Sequence, residues 1–159
     1  MKPADAQLAR DLVARTKTAT LSTLSSRQDG SVYPFGSLVA AAVDARGFPL
    51  LLLSSLAEHT KNLVASPHAS LLFADHAPAS EEDPLAGARV TLIGDVSRVD
   101  DDELPTVRAA YLERHPGAAT YAGFKDFAFY RLQVAEIRMV AGFGRMGWID
   151  VAAYVGDVV

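Results

Sequence analysis

The 159-residue chain contains no cysteine. Disulfides, thiolate zinc sites, iron–sulfur ligation and cysteine nucleophiles are therefore excluded together. No block of Lys and Arg occurs either: 15 cations face 19 acids, for a formal net charge of −4. Nucleic acid and anionic membrane surfaces are not expected partners of such a chain. Long hydrophobic runs are also missing. The longest clean stretch, Leu38 to Val43, is far too short to cross a bilayer. Met1 to Lys17 is charged throughout and lacks the apolar centre of a signal peptide, which leaves the cytoplasm as the default expectation. The histidines are His59, His68, His76 and His115, and no two stand at helical i, i+3 or i, i+4 spacing, so no helical metal site is encoded. No G-x-S-x-G elbow occurs. The acids Glu81, Glu82 and Asp83 read as a solvated loop.

What is present is apolar residue in quantity. Half the residues are hydrophobic, enough for a single domain over residues 1–159 that folds without staples. That richness fits either a thick core or apolar surface buried against a second subunit.

The periodicity predicts mostly strands. Leu8, Leu12 and Val13 share a face of a helix over Asp5 to Lys17. Ala19 to Ser25 alternates, Asp29-Gly30 signals a hairpin turn, and Val32 to Asp44 reads as one long strand. Gly36, Ser37, Ala40, Ala41 and Ala42 leave room along it for a packed helix, another backbone or a flat ligand. Pro49 to Ser54 returns from a second hairpin. A short helix follows and stops at Pro67, then come strands over Ala69 to Asp75 and Arg89 to Val99. His76 to Gly87, with two prolines and three acids, reads as a loop. Asp101 to His115 is a helix with Leu104, Val107 and Tyr111 on one face, and Ala128 to Val140 is a last strand. The early connections are too short for parallel crossovers, so the sheet is expected to be antiparallel and to close on itself, which removes exposed edges.

Three features bear on chemistry. Ser55-Leu56-Ala57-Glu58 fits a capping box, with His59, Thr60, Lys61 and Asn62 just beyond it. Such a helix start can grip an anion, or it is an ordinary solvated first turn, and Glu58 weighs toward the second. Arg89 opens an apolar strand and needs a partner, either a carboxylate such as Glu58 or a ligand. Gly142-Phe143-Gly144-Arg145-Met146-Gly147 matches G-x-G-x-x-G, but too little chain follows for a dinucleotide fold. A turn that brings Trp148 back to the core, or one that passes near a ligand ring, remains for it.

Several segments carry a resemblance in order and spacing: Ala19-Thr20-Leu21-Ser22-Thr23-Leu24, Tyr33-Pro34-Phe35-Gly36-Ser37-Leu38-Val39, Ser54 through Leu63, and Ser66 through Leu72. Asp83-Pro84-Leu85-Ala86, Arg89 through Gly94, Asp126 through Leu132 and Gly142-Phe143-Gly144 continue it. Together they resemble the pyridoxamine 5′-phosphate oxidase-like family of FMN-binding split β-barrels, and within it the haem-utilisation branch. The resemblance implies a mainly β (α+β) fold: a six-stranded antiparallel split β-barrel with flanking helices. It implies a homodimer with FMN in a cleft between subunits, acting as an oxidoreductase on a small molecule. Ser37, Leu38 and Val39 would border the flavin, and Ser54 and Ser55 would follow its ribityl chain and phosphate. His59, Thr60 and Asn62 would face the phosphate. Arg89 would reach in from the next strand, and Trp148 would close the cleft from the partner. Gly36, Ala41, His59 and Thr60 stand where the oxidases proper carry Arg and Lys, which weakens phosphate contacts. The alternative is a haem-binding protein on the same barrel, with His76 or His115 as axial ligand, or a non-enzymatic flavin carrier.

Overall fold

The computed structural model describes residues 2–74, 85–142 and 144–156. Helix α1 (Pro3–Arg15) leads into β1 (Thr18–Ser26), β2 (Val32–Ala40), β3 (Ala42–Val43) and β4 (Pro49–Ser54). Then come α2 (Glu58–Ala65), β5 (His68–Ala74) and β6 (Arg89–Arg98). Helix α3 (Leu104–Arg114), a 3-10 turn (Pro116–Thr120), β7 (Phe127–Val140), β8 (Met146–Ile149) and α4 (Val151–Val155) complete the chain. The expected loop from His76, with Glu81, Glu82 and Asp83, lies outside the described residues up to Pro84.

All strand pairs are antiparallel, in the order β2-β1-β5-β6-β7-β4-β3, with β8 added beside β7. β2 and β3 sit at opposite ends of that order, yet only Ala41 separates them along the chain. The sheet therefore has to curl until its ends meet there, and it stays open along the rest of β2. This is the split barrel expected from the resemblance, extended by the short strands β3 and β8. The single long strand expected over Val32 to Asp44 is corrected: it breaks at Ala41, whose N–H turns to the Lys17 carbonyl at 3.0 Å. β8 and α4 were not foreseen, because a four-residue strand after a glycine turn carries too few residues to show a period.

β4 explains the leucine run at 50–53. A strand covered on one face alternates; this one is buried on both. Leu51 and Leu53 point into the barrel core with Leu21, Leu71, Leu92 and Leu132, which α1 closes with Leu12 and Val13. Leu50 and Leu52 point outward into a second core with Val107 and Tyr111 of α3 and Phe129 of β7. One glycine is required by close approach. At Gly94 the β6–β7 register shifts, and a Cβ there would lie 1.9 Å from the Gln133 carbonyl oxygen. That bulge bends the long β7, the usual work of an extra residue in a ladder. Among the described residues no helix is long and apolar enough to cross a membrane.

Candidate functional site

The end of β4 and the start of α2 meet the end of β2 at a cleft of about 340 Å³. Leu38, Val39 and Ala40 form one wall, and Leu52, Leu53 and Ser54 another. Ala57 and His59 come from the helix start; Tyr111, Tyr121 and Phe127 close the far side. Among the described residues no Lys or Arg lines it. Leu38 is 77% exposed, so the cleft opens over this strand.

The capping box does not form. The N-cap of α2 is Ala57, without a side-chain cap. The turn is held from elsewhere: Ser54 Oγ donates to Asp126 Oδ2 at 2.7 Å and accepts the Leu56 N–H at 3.1 Å, while the Ser55 N–H donates to the Asp126 carbonyl at 2.7 Å. Asp126 thus latches the β4–α2 turn. Its role was not foreseen, since its partner lies 72 positions away.

Of the residues expected at the site, Leu38, Val39, Ser54 and His59 come together in the cleft. Burial pushes the His59 imidazole below its ordinary value, so it is neutral at pH 7. Among the described residues nothing forms a hydrogen bond or ion pair with its ring. Ser37 is half-buried beside the cleft on β2, and Ser55 is exposed at the turn. Thr60 is buried, and Asn62 faces inward: its Nδ2 donates to Thr23 Oγ1 at 3.0 Å, both side chains buried, which pins α2 to β1.

Arg89 and Trp148 lie elsewhere within one chain. Ser54 pairs with Phe127 at the start of the 14-residue β7, whereas Arg89 pairs with Val140 at its end. Arg89 Nη1 donates to the Leu85 carbonyl at 3.0 Å. Glu58, weighed as its partner, lies 3.7 Å from Lys61 instead. Trp148 pairs with Arg138 on β7 and carries that guanidinium 5.7 Å from its ring, with 55% of its surface exposed. Gly142 and Gly144, at φ of +87° and +77°, make the turn leading to it.

His115, a candidate axial ligand, has its Nε2 2.8 Å from the Ala41 carbonyl and its ring against Tyr111. It holds the β2–β3 break against α3. His76 lies outside the described residues. Among the described residues no group of three or more His, Asp and Glu could hold a metal ion.

Residues 2–156 match the family described as CREG, beta-barrel. The chain belongs to this family. It is 43% identical over 122 residues to the chloroplastic non-canonical heme oxygenase HOZ of Arabidopsis thaliana, 77% of this chain and 36% of that one. A heme-binding protein from Mycobacterium smegmatis superposes with a TM-score of 0.85 at 39% identity, covering 98% of this chain and 61% of the other. The heme storage protein HutZ of Vibrio cholerae gives 0.66 at 25% identity, covering 84% and 91%. The chain thus spans only about a third of the plant relative. These likenesses lie on the haem-utilisation side of the split-barrel family that the sequence motifs resemble.

Proposed function

We propose that this CREG-family chain binds haem in the β4–α2 cleft, where His59 is the residue that would ligate it. One observation carries the reading: a neutral, half-buried imidazole without a partner among the described residues, in a cleft of aliphatic and aromatic walls. A neutral ring nitrogen is the form that ligates a metal. Bound haem supplies one-electron and oxygen chemistry. The chain's own part is to shed water from the ring through Leu38, Leu52 and Phe127, and to hold His59 through the Asp126 latch. Haem-named relatives support this reading.

The cleft is one-sided in a single chain, and the second wall is a second copy. Leu38 on β2, Leu56 in the β4–α2 turn and Val64 on α2 expose 77%, 74% and 82% of their surface, apolar surface that a second copy would cover. In that homodimer, Arg89 and Trp148 reach the cleft from the partner.

FMN is the second reading. The small residues of β2 and the start of α2 favour it, as does the family resemblance. Against it, among the described residues no Lys or Arg of the same chain lines the cleft, which leaves Arg89 of the second copy as the cation for a phosphate, and Glu58 adds a negative charge at the start of α2. Titration of the purified protein with haemin and, separately, with FMN decides between them. The haem reading expects a saturable Soret band that shifts in His59→Ala. Quenching of flavin fluorescence without a Soret response would overturn it in favour of FMN. Adding a reductant under oxygen then asks whether bound haem is consumed or only held.

A further inference from the structure

A second cavity, of about 430 Å³, lies between α3 and the junction of β6 with β7. Its walls include Leu104, Pro105, Phe127 and Phe129, and Arg98 and Arg108 stand among the lining residues. The two arginines come from different elements, the last residue of β6 and the middle of α3. Both are exposed at the cavity. Asp100, Asp101 and Asp102 follow Arg98 in the chain, yet among the described residues no carboxylate forms an ion pair with either arginine, and none lines the cavity. The contrast with Arg131 is instructive, since that guanidinium, two residues beyond Phe129, is held by Glu103 and Asp44.

We infer that this cavity is a binding site for a small aromatic carboxylate. Its size lies in the usual range for a small-molecule site, and such sites combine apolar walls with a few placed polar groups. The ring system packs on Phe127, Phe129, Leu104 and Pro105. The carboxylate meets Arg98 and Arg108, whose forked donors match its two oxygens. An apolar wall alone would accept any hydrophobe; two guanidinium groups at one rim select an anion. Phe127 also lines the β4–α2 cleft, so the two sites share that residue. The inference does not depend on which ligand the cleft takes.

The test uses 2-naphthoate as probe on the full chain, followed by calorimetric titration. One saturable site per chain is expected. Arg98→Gln and Arg108→Gln should each weaken it about tenfold, as loss of a charge-assisted hydrogen bond does. The neutral analogue 2-naphthylmethanol should bind at least about tenfold more weakly than the carboxylate. Ala122→Phe, which fills the cavity from a lining position, should remove binding while the haemin or FMN response of the cleft persists. Retained binding in the filled variant, equal affinity for the neutral analogue, or indifference to the double arginine substitution would each overturn the assignment. Because both arginines are exposed, a folding defect in their variants is not expected, and a urea midpoint equal to that of the parent checks this.

Discussion

Arg131 grips Glu103 through two parallel hydrogen bonds, Nη1 to Oε2 at 2.8 Å and Nη2 to Oε1 at 3.0 Å. Its Nε lies 3.1 Å from Asp44 Oδ2. One buried guanidinium on β7 thereby ties the residue preceding α3 to the β3–β4 turn. Those elements carry Tyr111 and Leu52, two walls of the cleft. Arg131→Met removes both ion pairs, but Asp44 keeps Arg46 at 3.1 Å and Glu103 is partly exposed, so the expected cost is about 1–2 kcal/mol. Urea unfolding measures it; an unchanged midpoint would show the pair to be idle.

The same pair sets an acid response. Hydrogen bonds from Arg131 hold the Glu103 carboxyl below its ordinary value of 4.5, with the charges of Arg131 and Arg46 adding to the effect. The unfolded chain takes up that proton first. The stabilisation is complete above the unfolded value and is lost as pH falls through the lower folded one. Glu103→Gln should therefore flatten part of the stability loss below pH 4.5. Asp5 and Asp29, also lowered, keep the remainder. A stability profile against pH, taken for both proteins, reads the difference.

Gly94→Ala places a methyl group against the Gln133 carbonyl, where backbone rather than a flexible side chain must give way. The expected cost is about 3 kcal/mol. Because the bulge bends β7, the variant should also lose affinity in the cleft at the far end of that strand.

Asn62 and Thr23 form a buried pair 39 positions apart. Asn62→Ala removes the donor to Thr23 Oγ1, which keeps only its longer 3.4 Å bond to the Phe35 carbonyl, and should cost about 1 kcal/mol. A double-mutant cycle with Thr23→Val should return a coupling of about 0.5 kcal/mol or more. Zero coupling would mean that α2 is held by packing alone.

His59 stays neutral to lower pH than a free imidazole, because burial disfavours the cation. The unfolded chain binds the proton first as pH drops below about 6.5, so stability falls there as well. Haemin affinity should hold through pH 7 and decline only below that value. His59→Ala should remove the decline, and an identical profile in the variant would take His59 out of the site.

The alternation in β1 and the helical spacing of Val107 and Tyr111 made the strands and α3 legible, because each records one buried face of one element. Proline before His68 and the hairpin signal Asp29-Gly30 made those connections legible too, because they are local. Composition alone removed thiol chemistry. What stayed hidden is what joins distant residues. Nothing near Ser54 announces that Asp126 will hold its turn in place of a capping box, and nothing near Asn62 announces Thr23. Arg89 and Trp148 keep their motif positions, but the length of β7 carries them away from the cleft of their own chain. Residue type and period are properties of a stretch of chain. Which side chains converge on a cleft depends on how the sheet curls at Ala41, and that is decided only when both ends of the sheet meet.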